Sequence, residues 1–296
     1  MNKYILGTCA KRRGGTWEFV NNASWSARSG GAAIEFDDKI WLYGGFDGSN
    51  VLSEAQYSSD GISWTRQSGI FTRVNHRIIS VNNFLYIAGG GDGTFTPTST
   101  VYRSSDGVNF SILTSSPTWS ARQQHGFVWF KNKMWIMGGI GSGSVLNNNI
   151  HSSTNGTSWT LENSSASWSA RRSFGLVELG GTLYLIGGLD SGGQKNDVWK
   201  STDGINWSLV TSNAFSGRSF FCCGVYNSKI YLIAGSLSSG FTNEVWYSVN
   251  GLNWYQEAQS VWTDRTNVFC CKFDDSIYIF GGEDGVGQLK DVYKYN

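Results

Sequence analysis

Six arginines recur at nearly constant intervals, and they are the residues of this 296-residue chain whose type and spacing best suit the binding of an anion. Successive intervals are 45, 49, 49, 47 and 47 residues, for Arg28, Arg73, Arg122, Arg171, Arg218 and Arg265. A guanidinium offers a planar fork of donors that matches carboxylates and phosphates. Because six unpaired guanidiniums would repel one another, we expect acidic side chains, water or an anionic ligand to compensate them.

Aromatic residues precede these arginines, and acidic residues follow them in polar segments. The aromatics are Trp25, Phe71, Trp119, Trp168, Phe215 and Trp262, and the acidic candidates are Asp47, Asp92, Asp190, Glu283 and Asp284. We predict a ligand-binding surface made of the six arginines together with Trp25, Trp119, Trp168, Trp262, Asp47 and Asp92. In the alternative interpretation, each arginine ties its own segment to neighbouring carbonyls. The hypothesis of an anionic pocket therefore fails if Arg28, Arg122 and Arg171 are all bound to backbone carbonyls.

Residues suited to catalysis are few. His76 and His125 each stand three residues after their arginine, and they could share a metal with a carboxylate or serve as polar residues of inner strands. His151 falls in a later strand, where it is interpreted as a packing variant. No G-x-S-x-G, H-E-x-x-H or Walker A motif occurs. We predict no catalytic residue, no metal and no cofactor, and a binding role is favoured over an enzymatic one.

Five cysteines occur without C-x-x-C spacing, namely Cys9, Cys222, Cys223, Cys270 and Cys271. The two vicinal pairs stand in F-C-C segments that read as equivalent positions of neighbouring repeats. Vicinal side chains on a strand point to opposite faces, so neither pair suggests a four-ligand metal site. We expect small buried apolar residues in a reducing compartment.

The elements that position these residues form a repeat of about 47 residues. Each unit reads W-S-x-R, an apolar strand that ends in Gly-Gly, a polar loop, and V-[WY]-x-S-x-D-G-x-x-W. The period of two indicates strands. In repeat four, strands are predicted over 174–179, 183–186, 197–201 and 207–210, with a turn at Gly180-Gly181 and a loop of about nine residues after the second strand. The five Asp-Gly or Asn-Gly steps predict type I′ hairpin turns.

These observations predict an all-β, six-bladed β-propeller of four-stranded antiparallel blades. The last repeat lacks its outer strand, and residues 13–20 supply the missing pattern, because Trp17 precedes Trp64 by 47 residues. We therefore expect one propeller over residues 1–296, with blades that start near 25, 71, 119, 168, 215 and 262. Such closure removes exposed sheet edges. Residues 1–12 have no counterpart in the repeat.

The Gly-Gly step, the aromatic after the turn and the arginine before the innermost strand resemble kelch repeats over residues 13–296, as in the central domain of galactose oxidase. The resemblance implies an interaction module or an enzyme scaffold. Kelch adaptors hold acidic peptide motifs with arginines at the position of the six named above. The resemblance also includes a sialic-acid mutarotase of the N-acetylneuraminate epimerase type, for which Glu35 and Glu178 are the acidic residues on innermost strands. A third alternative is glycan binding by stacking on exposed tryptophans.

Antiparallel strand order places the arginines and the loops after Gly-Gly on one face of the propeller, and the Asp-Gly turns on the other. A net charge of +1 gives no reason to expect nucleic acid or an anionic membrane as partner. No apolar segment approaches the length of a membrane span, and the N-terminus lacks the apolar core of a signal peptide. We expect a cytoplasmic monomer that binds a protein, an acidic peptide or an anionic glycan at the mouth of the central channel.

Overall fold

Six four-stranded antiparallel sheets surround a central channel in the computed structural model, which describes residues 15–257 and 260–296. The innermost strands contact one another in cyclic order, and the first of them contacts the last. This confirms the predicted six-bladed, all-β propeller. The strands of each blade are designated a to d from the channel outward. Within the described ranges, no helix combines the length and apolarity needed to cross a bilayer.

The strands follow in chain order. Trp17–Asn22 (β1) precedes blade one, which contains Ala32–Phe36 (β2), Lys39–Tyr43 (β3), Glu54–Ser58 (β4) and Thr65–Ser68 (β5). Blade two contains Arg77–Val81 (β6), Phe84–Ala88 (β7), Val101–Ser104 (β8) and Ser111–Thr114 (β9). Blade three contains Arg122–Gln123 (β10), Gly126–Phe130 (β11), Lys133–Met137 (β12), Ile140–Gly141 (β13), Ile150–Ser153 (β14) and Thr160–Asn163 (β15), with a 3-10 turn at Ser142–Ser144.

The second half repeats this plan. Blade four contains Gly175–Leu179 (β16), Thr182–Asp190 (β17), Gly193–Ser201 (β18) and Ser208–Thr211 (β19). Blade five contains Cys222–Tyr226 (β20), Lys229–Ile233 (β21), Ser236–Leu237 (β22), Gly240–Phe241 (β23), Val245–Ser248 (β24) and Tyr255–Gln256 (β25). Blade six contains Phe269–Phe273 (β26), Ser276–Phe280 (β27) and Asp291–Tyr295 (β28), and β1 is its outer strand.

The first strand closes the ring, as the sequence predicts. In the antiparallel β1–β28 pair, Trp17 lies opposite Tyr295 and Asn22 lies opposite Asp291, with a bulge between Phe19 and Asn21. Strand β1 extends two residues beyond the predicted end at residue 20. Cys9 and the extension assigned to residues 1–12 lie outside the described residues.

The apolar core is divided among six clusters, one at each interface between neighbouring blades. Each cluster combines side chains from both faces that meet there, as alternation along a strand requires. The cluster between blades five and six, for example, joins Tyr231 and Ile233 to Trp17, Ile277 and Ile279. Closure by β1 therefore completes an interface as well as a sheet, because Trp17 is part of that cluster.

The turn chemistry differs from the expectation. Residues with positive φ at both central positions form the a–b turns, such as Asp37-Asp38 and Gly180-Gly181, where type I′ geometry occurs. At the Asp-Gly and Asn-Gly steps only the glycine has positive φ. Asp60 instead accepts hydrogen bonds from the amides of Ile62 and Ser63, each at 2.7 Å, so these c–d turns are held by a side chain. The prediction of type I′ turns at these steps was wrong.

In four of the five c–d turns, the glycine lies tightly against an aromatic side chain of the preceding blade. A Cβ at Gly204 would lie 2.8 Å from the Trp135 ring, and one at Gly61 would lie 2.5 Å from the Tyr278 ring. Since real Cβ contacts are not this short, glycine is required at these positions by the packing of the neighbouring blade as well as by the turn conformation. These c–d turns thus also support the interface between blades.

The cysteines also depart from the expectation of free thiols. Cys222 of β20 and Cys270 of β26 form a disulfide, with Cα atoms 6.1 Å apart, whereas Cys223 and Cys271 are free. Cys222 is the first residue of its strand and pairs with the last of β21, but Cys270 is the second residue of its strand. This one-residue offset turns the two side chains towards each other, since successive residues point to opposite neighbours. The assumption of equivalent positions was wrong by one residue.

Candidate functional site

The repeated arginines are buried and bound within their own blades. Arg171 donates from Nε to the carbonyl of Ser169 at 3.1 Å and from Nη1 to the carbonyl of Gly187 at 2.9 Å. It also donates to both carboxylate oxygens of Asp197, at 2.6 and 2.9 Å. The same arrangement pairs Arg28 with Glu54, Arg218 with Glu244 and Arg265 with Asp291.

Blades two and three vary this arrangement. Arg122 keeps both carbonyl contacts but meets the amide oxygen of Asn149 at 2.8 Å, where the equivalent arginines meet a carboxylate. Burial lowers the pKa of Arg122 to about 10. Arg73 donates to the carbonyl of Thr72 and to the hydroxyl of Tyr102, whose ring lies beneath its guanidinium at 5.5 Å.

These contacts correct the predicted role of the arginines. Arg28, Arg122 and Arg171 are all bound to backbone carbonyls, and all six arginines are buried. Four of the six already meet a carboxylate, so little of their hydrogen-bonding capacity remains for an anionic ligand. Each arginine therefore ties the main body of its blade to the link segment, which is the stretch of chain around the arginine that leads into the innermost strand. This holds for Arg28, Arg73, Arg122, Arg171, Arg218 and Arg265.

The carboxylates that compensate the arginines are not the acidic candidates named from the sequence. They lie in or just before the c strands, 26 residues after their arginines, and each precedes a buried Ala or Val: Glu54, Asp197, Glu244 and Asp291. This acid-before-apolar pattern is visible in the sequence. For Glu54, burial raises the carboxyl pKa, but hydrogen bonds from Arg28, Gln56 and Arg66 outweigh that effect and leave the pKa below its ordinary value.

The predicted acidic candidates cap turns instead. Asp47 Oδ1 accepts from the amides of Ser49 and Asn50, and Asp92 Oδ1 accepts from the amides of Thr94 and Thr96. Both aspartates are partly exposed on the predicted face. They shape the loops of that face, and the guanidiniums bind other carboxylates.

The predicted tryptophans are core residues. Trp25, Trp119, Trp168 and Trp262 are at most 4% exposed. Three of them pack edge-to-face on the aromatic that follows the Asp-Gly or Asn-Gly turn, and Trp262 packs in this way on Trp17. None offers an exposed ring face to a sugar, so this structure gives no support to glycan stacking by these four residues.

The two inner-strand histidines are buried without compensating charge. Neither ring nitrogen of His76 or His125 has a hydrogen-bond partner among the described residues. Burial, and then the charges of Arg73 and Arg77, lower the pKa of His76 to about 3. Phe174 and Phe221 occupy the equivalent positions in blades four and five. Among the described residues, no group of three or more His, Cys, Asp or Glu side chains is placed to hold a metal.

Six residues with left-handed backbone form a closed ring at the mouth of the channel. Each donates its amide to the carbonyl of the equivalent residue in the preceding blade, at 2.7 to 3.3 Å: Gly30, Asn75, Gln124, Ser173, Phe220 and Asn267. Their φ values lie between 53° and 64°. This conformation costs energy at non-glycine residues, and the six inter-blade hydrogen bonds offset that cost.

Six short hairpin tips surround this ring and form what we call the loop face. Each tip is closed by a β-bridge or a short strand pair and spans 46–51, 91–97, 140–146, 189–194, 236–241 or 283–288. The first residue of each tip also bridges to the link segment beside the arginine of its own blade, as Ser29 does with Phe46. In blade four the predicted nine-residue loop is therefore a continuous hairpin between β17 and β18. Each tip is therefore held by two sets of backbone hydrogen bonds, one that closes the hairpin and one to the link segment.

Apolar side chains are exposed on the loop face. Phe95 is 43% exposed and packs edge-to-face on Phe46 with ring centroids 5.2 Å apart, and Val286 is 97% exposed. The six tips contain five acidic residues and no lysine or arginine: Asp47, Asp92, Asp190, Glu283 and Asp284. The loop face is therefore acidic and partly apolar, whereas the sequence analysis predicted a cationic surface. Glu35 and Glu178 lie exposed near the opposite mouth, beside the a–b turns.

A charged residue inside the channel was missed by the sequence analysis. Arg77 begins β6 and lines a cavity of about 210 Å³ enclosed by the innermost strands. The equivalent first residues in the other blades are uncharged: Ala32, Gly126, Gly175, Cys222 and Phe269. This break in the repeat was the signal that could have identified it.

No family model matches this chain, and no curated protein matches it.

Proposed function

We propose that this chain is a kelch-type binding module that engages a protein or peptide through the hairpin tips of the loop face. The observation that carries the proposal is the contrast between the repeated scaffold and the tips. The arginine contacts and the bridges recur from blade to blade, whereas the tips differ in sequence and expose apolar side chains. Binding residues are commonly carried on loops that a rigid scaffold positions.

The charge of the tips indicates the chemistry of the partner. Asp190 pairs with Lys195 beside its tip, but among the described residues the other four carboxylates of the tips form no ion pair. This excess of acidic groups favours a partner with lysine or arginine side chains beside apolar ones. An acidic peptide, the partner suggested by the resemblance to kelch adaptors, would meet like charge at the tips, while the arginines beneath are engaged with their own blades. The proposed partner is therefore a basic and apolar peptide segment.

The Gly-Gly steps support the kelch-type assignment. Both glycines of such a step have positive φ, as in Gly44 and Gly45. A Cβ at Gly44 would lie 2.2 Å from the carbonyl oxygen of Arg73, so the next blade's link passes directly against the step. The step is thus tied to the arginine segment that defines the repeat.

A peptide array tests the proposal. Basic-apolar peptides should bind the protein at low salt and bind more weakly at high salt, since exposed charges are screened. Phe95→Ser and Val286→Ser should reduce binding at least fivefold. Ile62→Ser is the matched control, because Ile62 is 56% exposed in a c–d turn on the opposite face. Binding confined to acidic peptides, or equal losses in Ile62→Ser and Phe95→Ser, would contradict the proposal, as would the absence of any peptide ligand.

A further inference from the structure

The central channel contains a guanidinium with no acidic partner. Arg77 donates from Nε to the carbonyl of His125 at 3.1 Å and from Nη1 to the carbonyl of His76 at 3.3 Å. Among the described residues, no carboxylate oxygen lies within 4 Å of its side-chain nitrogens, and the cavity lining contains no Asp or Glu. Arg171, by contrast, is neutralised by Asp197.

The surroundings leave this charge uncompensated. Burial lowers the pKa of Arg77 to about 10, so the guanidinium remains protonated at neutral pH. Its neighbours His76 and His125 are neutral there, because burial depresses the pKa of both imidazoles. Arg77 is partly exposed to the channel, so an anion in the cavity can reach it and would supply the counter-charge that the described residues do not.

Hydrogen-bonding capacity remains for such an anion. A guanidinium has five N–H donors, and the two carbonyl contacts use two of them, which leaves three. Each innermost strand is hydrogen-bonded on one side only, so its other edge presents main-chain N–H and C=O groups to the channel. Arg77 also lines the small cavity at the ring of left-handed residues, which places it just inside the loop-face mouth.

We propose that the channel is a binding site for a small free carboxylate, held by the guanidinium fork of Arg77. A planar monovalent anion matches the geometry of the fork. The cavity of about 210 Å³ lies below the range of about 300–1,000 Å³ typical of sites for larger ligands, so a ligand of a few heavy atoms fits best. This site is separate from the hairpin tips, and it does not depend on the proposed peptide partner.

Saturation-transfer NMR with acetate on the full chain tests this inference. Wild-type protein should transfer saturation to acetate, and added formate should compete with it. Arg77→Met should weaken acetate binding at least tenfold. Arg103→Met is the matched control, because Arg103 lies in the same blade over the ring of Phe84, outside the channel, and it should bind as wild type does.

Further variants separate the alternatives. Arg77→Lys keeps the charge but loses the planar fork, so acetate should bind at least threefold more weakly, and this variant serves if Arg77→Met does not fold. Phe95→Ser should leave acetate binding unchanged, so failure of the peptide proposal remains distinguishable from failure of this one. No saturation transfer to wild-type protein, or unchanged acetate affinity in the Arg77 variants, would overturn the inference.

Discussion

The guanidinium of Arg171 and the carboxylate of Asp197 form a two-point ion pair, at 2.6 and 2.9 Å, that joins the link segment of blade four to its c strand, β18. The arginine is 1% exposed. The pair connects two segments 26 residues apart, and the same connection recurs in three other blades. The arginines therefore act as internal braces of the propeller.

Removal of this carboxylate should be costly. Asp197→Ala leaves the buried Arg171 without its counter-charge, and we expect the free energy of unfolding to fall by about 3–5 kcal/mol. Asp275→Asn is the control, because the Asp275 side chain is 94% exposed where it pairs with Lys272, and its loss should cost about 1 kcal/mol or less. Urea denaturation followed by circular dichroism measures both. Equal losses in the two variants would show that Asp197 is not a buried brace.

The buried histidines should make stability depend on pH. His76 has an ordinary pKa of 6.5 when unfolded and about 3 in the fold. Between these values the unfolded chain binds more protons, so the free energy of unfolding should decrease as pH falls below about 6.5. The slope is at most about 1.4 kcal/mol per pH unit for each histidine.

Replacement by the residue that other blades use should remove this effect. In His76→Phe/His125→Phe, the difference in unfolding free energy between pH 7.5 and pH 5 should shrink by about 1–2 kcal/mol per histidine. Urea denaturation at the two pH values measures it, and carboxylates common to both proteins cancel in the comparison. An unchanged difference would mean that the histidines are not buried in neutral form.

The disulfide should stabilise the interface between blades five and six. It closes a loop with a sequence separation of 48 residues, so we expect Cys270→Ser to lower the free energy of unfolding by about 2–4 kcal/mol. Cys271→Ser is the vicinal control and should cost about 1 kcal/mol, since its thiol is not bridged. A reductant should lower the melting temperature of wild type but not of Cys270→Ser. A wild-type melting temperature that ignores the reductant would refute the bridge.

Closure of the ring should depend on Trp17. This side chain packs on Trp262 and Tyr295, and Trp17→Ala should cost about 3–5 kcal/mol. Phe19→Ala in the same strand is the control, because Phe19 is 54% exposed, and it should change stability by about 0.5 kcal/mol or less. Deletion of residues 1–20 should expose the edge of β28 and produce aggregates in size-exclusion chromatography. A monomeric, equally stable deletion variant would contradict closure by β1.

The repeat predicted the architecture because every blade forms the same four-stranded sheet and packs on its neighbours through the same kind of apolar interface. The separation of 47 residues in sequence between Trp17 and Trp64 identified the closing strand, and the structure pairs that strand with β28. The partners of the arginines could not be found from proximity in sequence, since Arg171 binds Asp197, which lies 26 residues away in β18. The link segment and the c strand are brought together only when strands a, b and c of the blade pair with one another.

The channel and the disulfide depend on register within single strands. A shift of one residue between β20 and β26 decides that Cys222 faces Cys270, and alignment of the two F-C-C segments conceals that shift. Arg77 is likewise an exception to the repeat, so the residues that the repeats share do not indicate it. The positive φ of Gln124 and Phe220 has no local signature, because these residue types rarely adopt it.

The ring of left-handed residues at the mouth has an electrostatic consequence. All six amides donate in the same rotational sense, from each blade to the one before it. Their peptide dipoles therefore run head to tail around a circle, and their components in the plane of the circle cancel. The backbone ring attracts neither anions nor cations along the axis by this circulation, unlike the end of a helix, where aligned dipoles add. The sign of any ion admitted through this mouth is set by side chains, and Arg77 stands directly behind it.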